Sequence, residues 1–161
     1  MESNKDLSNK FIAYYSSLVG KEISLLSFER IFGGASRETY KIHIKDQSNL
    51  EEKLILRRTQ KSSLIETSQS TEYLAYSAYQ ETSVPVPLMI DINEDQEILG
   101  APFMLMQQLD GVAASPFTPN VYSPNEQKLG EQFWSILGAV SYTHLRAHET
   151  VLDLVCRLLL E

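Results

Sequence analysis

Basic residues are scarce in this sequence. Lys and Arg number 14 against 21 Asp and Glu over 161 residues, a formal net charge of −7 with a pI near 5.0. Nonspecific nucleic-acid binding needs a Lys/Arg surface that neutralises phosphates, and no stretch here supplies one. Long hydrophobic runs are missing too: nothing approaches the ~18 apolar residues of a membrane span. The opening MESNKDLSNK is polar and lacks the apolar core of a signal peptide. A single cysteine, Cys156, precludes an intrachain disulfide, so a reducing cytoplasm is the expected compartment. What is plentiful is apolar side chain, 43% of residues, at a length suited to one domain with its own core.

The end of the chain differs in kind. Residues 140–161, VSYTHLRAHETVLDLVCRLLLE, resemble the translation of a transposase-type sequencing-library adapter. Its constant arms account for residues 140–150 and 154–161, and a variable sample index for Val151, Leu152 and part of Asp153. His144, His148 and Glu149 stand there at helical spacing, with Cys156 further on. Two His at i,i+4 suit a metal ion, which would make a metal-dependent hydrolase. An adapter origin removes that reading, because no selection placed those side chains. Without the segment, 12 basic and 18 acidic residues remain, net −6, with His43 as the single histidine and no cysteine. The compartment argument from cysteine then lapses.

Along the rest, residues 5–20 place Leu7, Phe11, Tyr14, Tyr15 and Leu18 near a 3.6 period and end at Gly20, which predicts an amphipathic helix. The period then changes to two. Residues 24–31 and 39–44 read as strands, the second with Tyr40, Ile42 and Ile44 on one face and Lys41 and His43 on the other. FGGASRE between them makes the turn of an antiparallel hairpin, and His43 is expected on its polar, solvent-facing side. A turn at 46–49 leads to a strand at 53–58 and a helix over 62–81 that carries Glu72. Val84-Pro85-Val86-Pro87 stops any helix. Residues 88–92 and 102–106 read as two more strands joined by an acidic loop at 93–97. Residues 113–124 read as loop and 125–137 as a last helix. Strands in sequence with one interposed helix give an α+β domain on an antiparallel sheet.

Three places could carry chemistry. Gly33, Gly34, Ala35, Ser36 and Arg37 form a glycine hairpin loop whose N–H groups can line an anion-binding concavity, although most Gly-Gly pairs simply turn the chain, and the kinase G-x-G-x-x-G pattern is absent. Arg57 on the third strand is a cation beside that hairpin, and Glu72 on the next helix is a carboxylate able to hold it, as kinases do with lysine. Both could equally be exposed members of a charged segment, which is the reading for Arg58. Met104-Leu105-Met106-Gln107-Gln108-Leu109 could offer a base its backbone groups and a methionine wall, or be plain core.

Taken in order, GGASRETY, LILRR, TEY, SVPVP, LGAPFMLM and LDG resemble the amino-terminal lobe of the aminoglycoside phosphotransferase family, in the branch associated with acyl-CoA dehydrogenases. The resemblance covers residues 20–138. It implies a protein-kinase-like N-terminal lobe, a five-stranded antiparallel sheet plus helix, followed by the start of a truncated helical C-terminal lobe. The implied division is an N-terminal helix at 1–20, N-lobe 21–106, hinge 107–111, the first part of the C-lobe at 112–139, and the adapter-derived tail at 140–161. It further implies transfer of a phosphoryl group from ATP or GTP, with magnesium, to a small-molecule hydroxyl. By position, Gly33, Gly34, Ala35, Ser36 and Arg37 would form the phosphate loop, Arg57 the strand cation, and Glu72 its helix partner. Gln107 and Leu109 would offer the hinge carbonyl and amide.

The family's H-G-D-x-x-x-x-N catalytic loop and later metal-binding Asp do not occur in the sequence. The expectation is therefore a metagenomic fragment that keeps the nucleotide-binding lobe, with no catalytic and no metal-ligating residue of its own. The rival expectation is a noncatalytic nucleotide-binding or protein-interaction module. No nucleic-acid or membrane partner is expected.

Overall fold

Leu7, Phe11 and Tyr15 repeat at i, i+4 and i+8, and that stripe is the buried face of helix α1 (Asn4–Val19). The Ser3 hydroxyl caps its start by accepting from the Lys5 and Asp6 N–H groups at 3.2 and 3.3 Å. Gly20 ends it at φ 66°, where its N–H reaches the Ser16 carbonyl. A Cβ on Gly20 would meet nothing within 4 Å, so only backbone strain opposes a side chain there. Gly20→Ala should lower stability by about 1–2 kcal/mol, the cost of a left-handed non-glycine residue. Urea unfolding checks this, and an unchanged midpoint would show that the helix end relaxes freely.

The computed structural model describes residues 3–31, 37–59, 69–111 and 120–158, with side chains through 142. Strands β1 (Ile23–Ile31), β2 (Arg37–Asp46) and β3 (Glu51–Thr59) follow α1, then helix α2 (Gln69–Tyr79), strand β4 (Met89–Asn93), helix α3 (Gln96–Leu99), strand β5 (Phe103–Gln107) and helix α4 (Glu126–Leu158). The sheet order is β1-β2-β3-β5-β4, with every neighbouring pair antiparallel. The chain forms two units, residues 1–78 with 87–109, and residues 79–86 with 110–161. All five strands lie in the first.

Alternation sorts the strand side chains onto two faces. Tyr40, Ile42, Ile44, Leu54, Leu56, Phe103 and Leu105 form a core with the buried stripe of α1. Phe11 stacks on Tyr15, and the Tyr14 ring meets Phe103 edge-on with centroids 5.2 Å apart. Two phenols fasten α1 to the sheet: Tyr14 donates to Asp91, and Tyr15 to Glu52 at 2.8 Å. Burial lifts the Asp91 carboxyl above its ordinary range, against a smaller pull downward from the Ile92 N–H. The opposite face presents Met89, Met104 and Met106, packed with Ile55, Ile92 and, from α2, Tyr73 and Tyr76.

Several expected elements differ in extent. Residues 93–97, expected as loop, contain the start of α3, capped by the Asp95 carboxylate on the Glu97 N–H at 2.9 Å and closed by Gly100 at φ 76°. Within the expected helix at 62–81, α2 begins among the described residues at Gln69 and stops at Tyr79, whose carbonyl takes the Thr82 N–H and hydroxyl. The last helix was expected to close at 137 but runs to Leu158, since neither Pro nor Gly occurs after Gly138 to break it. Among the described residues no helix is long and apolar enough to cross a membrane.

Candidate functional site

The hairpin loop Gly33, Gly34, Ala35 and Ser36 lies outside the described residues; its last member, Arg37, opens β2. Arg57 sits on β3 with its cross-strand neighbours Thr39 on β2 and Met104 on β5. Pairing puts those three side chains on the face that carries Ile55 and the methionines, where α2 packs. Glu72 stands in the first turn of α2. The expected pair is formed: the Arg57 guanidinium donates to Glu72 Oε1. The Arg57 side chain is 28% exposed and that of Glu72 22%, so water screens the pair less than it would a surface pair.

Two features of this cluster were not foreseen from the sequence. Arg37 also donates to Glu72, at Oε2, and its side chain is only 8% exposed. Gln69, buried one helical turn before Glu72, donates its amide to the Arg57 carbonyl at 3.0 Å. The Gln69/Glu72 spacing, i and i+3 on one helix face, is the signal that could have found Gln69.

Arg58 points to the other face. Its side chain is 9% exposed and lies 3.6 Å from Glu38, which Arg30 also approaches at 3.1 Å and the Tyr40 hydroxyl at 3.3 Å. It is thus part of the core side of the sheet and not an exposed charge. His43 lies 2.9 Å from Glu51 on the polar face of β2, half-buried.

At the end of β5 the Gln107 N–H donates to the Leu88 carbonyl and the Gln108 N–H to the Lys53 carbonyl, each at 2.9 Å. Alternate backbone groups therefore serve opposite edges, and the Gln107 C=O shares the edge of its own N–H. Beyond it Leu109 is 59% exposed. A cavity of about 210 Å³ lies between the end of α1 and the β2–β3 turn, lined by Tyr15, Lys21, Ile44 and Glu52 among others, and does not include the arginine cluster. Among the described residues no three His, Cys, Asp or Glu side chains converge to hold a metal ion.

The model of the phosphotransferase enzyme family matches residues 27–149, from the hairpin through the first part of α4 and into the segment that resembles an adapter. The chain belongs to the phosphotransferase enzyme family. Acyl-CoA dehydrogenase family member 10 of Mus musculus is 30% identical over 105 residues, 62% of this chain. The match spans 9% of that mouse protein. A solved structure from Ralstonia eutropha JMP134, described as an aminoglycoside phosphotransferase, superposes with a TM-score of 0.50 at 23% identity, over 69% of this chain and 31% of its own. One from Thermobifida fusca YX-ER1, described as a fructosamine-3-kinase, gives 0.42 at 14% over 67% and 34%. The phosphotransferase fold is thus α+β, the five-stranded antiparallel sheet and helix of a kinase-like N-terminal lobe. Resemblance to the aminoglycoside phosphotransferases, read first from short motifs, holds over most of the chain.

Proposed function

We propose that this chain is the nucleotide-binding lobe of a small-molecule kinase, taking ATP or GTP, whose complete form moves the terminal phosphoryl to a hydroxyl. The observation that carries this reading is the Arg57–Glu72 pair beside the glycine hairpin. A cation fixed by a helix carboxylate is one part of what a polyphosphate requires. Arg57 supplies a planar fork of donors where a lysine would give a point charge. The Gln107 carbonyl and the Leu109 N–H suit the donor and acceptor on one edge of an adenine. In the complete enzyme magnesium would offset the charge of the polyphosphate. The domain limits above, with the hinge at 107–111 and an adapter-derived segment at 140–161, form part of the proposal, as does the absence of turnover in this chain.

The test is titration calorimetry with magnesium-ATP and magnesium-GTP. Arg57→Ala should weaken binding about tenfold or more, the scale of a lost hydrogen bond to a charged group. Glu72→Ala should weaken it less, by loosening Arg57 without removing a direct contact. Equal affinity in the wild type and Arg57→Ala would remove Arg57 from the site.

A further inference from the structure

Arg37 ends the glycine hairpin in sequence, which made it a candidate phosphate contact. Its side chain instead lies almost wholly inside the protein, on Glu72. The β2–β3 register explains how. Thr39 faces Arg57 and Arg37 faces Thr59, so Arg37 and Arg57 are diagonal neighbours on one face of the sheet. Diagonal neighbours stand roughly 7–8 Å apart, a gap that long side chains and one carboxylate can close. Glu72 reaches into that gap from α2 and gives Oε2 to Arg37 and Oε1 to Arg57. Gln69 holds the backbone of β3 to the same helix at the Arg57 carbonyl.

Two guanidinium groups share the one Glu72 carboxylate, Arg37 at Oε2 and Arg57 at Oε1. Were Arg57 the sole partner, Glu72 could engage it through both oxygens and cancel its charge. Sharing leaves each arginine one carboxylate oxygen, and the more exposed of the two, Arg57, keeps donors for another anion. We infer that Arg37 is a positioning residue: by taking half of the Glu72 carboxylate it ties the strand leaving the glycine hairpin to α2 and leaves Arg57 with guanidinium donors to offer a polyphosphate. This rests on the nucleotide reading for its phosphate half, while the sharing itself is a property of the fold.

The experiment is a double-mutant cycle on the full chain with Arg37→Gln, Glu72→Gln and both together, read in two ways. In urea unfolding, Arg37→Gln should lower the folding equilibrium constant at least tenfold in the wild type and less than threefold in Glu72→Gln. In titrations with inorganic tripolyphosphate, Arg37→Gln should raise the Kd about fivefold, and less than twofold in the Glu72→Gln background. Equal fold-changes in the two backgrounds, in either readout, would overturn the role given to Arg37. Arg37→Lys keeps the charge with a single point donor; it should restore most of the tripolyphosphate affinity and part of the stability, and it stands in if Arg37→Gln fails to fold. A wild type that binds no tripolyphosphate would sink the nucleotide reading alone, and the unfolding cycle would still decide whether Arg37 acts through Glu72.

Discussion

Phe103→Ala should lower the stability of the sheet unit by about 3–5 kcal/mol, the range for emptying a fully buried aromatic site. Phe103 has no exposed surface, pairs its ring with Tyr14, and belongs to the core that joins β2, β3 and β5 to α1. Nothing nearby can collapse into the space, because its neighbours are held from two sides. Leu105 lies two residues along the same strand with Leu56 opposite it on β3, and the Tyr14 hydroxyl is fixed on Asp91. A domain of this size has roughly 5–15 kcal/mol in total, so the variant should lose a fifth or more of its margin. Leu50→Ala is the matched control: Leu50 is 60% exposed and should change stability by no more than about 0.5 kcal/mol. Urea midpoints at constant slope give both numbers. A Phe103→Ala loss as small as that of Leu50→Ala would mean that the face between α1 and the sheet is not the core.

That face was legible in the sequence because alternation is a local signal. Tyr40, Ile42 and Ile44 read as one side of a strand, and all three are buried. Gly20 as a helix stop was equally local. The acidic loop that contains α3 was misread although its signals were present, Asp95 before and Gly100 after; a four-residue helix offers too little periodicity to show. The candidate site divides in the same way. Arg57 and Glu72 could be paired from their order along the chain, since a strand followed by its packing helix brings them together. Arg37–Glu72 could not, because it depends on the β2–β3 register, which sets the diagonal between Arg37 and Arg57. The phenol bonds of Tyr14 and Tyr15 to Asp91 and Glu52 were hidden for the same reason, as they join residues 77 and 37 apart in sequence.

This chain should transfer no phosphate to an acceptor. Phosphoryl transfer is catalysed by positioning and charge stabilisation, with a carboxylate to receive the hydroxyl proton and metal ions on the phosphate oxygens. Its aspartates before residue 140 are Asp6, Asp46, Asp91, Asp95 and Asp110, none in an H-G-D context. The structure gives several of them other work. Asp46 accepts the Leu50 and Ser48 N–H groups and Lys21 at the β2–β3 turn, and these hold its carboxyl below the ordinary range, the Leu50 N–H foremost. Asp91 receives the Tyr14 phenol on the core side of the sheet, and Asp95 caps α3. Both oxygens of Glu72 already accept from arginines. A general base alone is worth about 10²–10⁴ in rate. The expected behaviour is binding without turnover. Purified chain is incubated with labelled ATP or GTP, magnesium and a panel of alcohols, and product is separated from nucleotide. No phosphorylated alcohol should exceed the buffer control. Product above that control, abolished by Arg57→Ala, would show that a carboxylate among those already engaged can leave its structural partner and serve as the base.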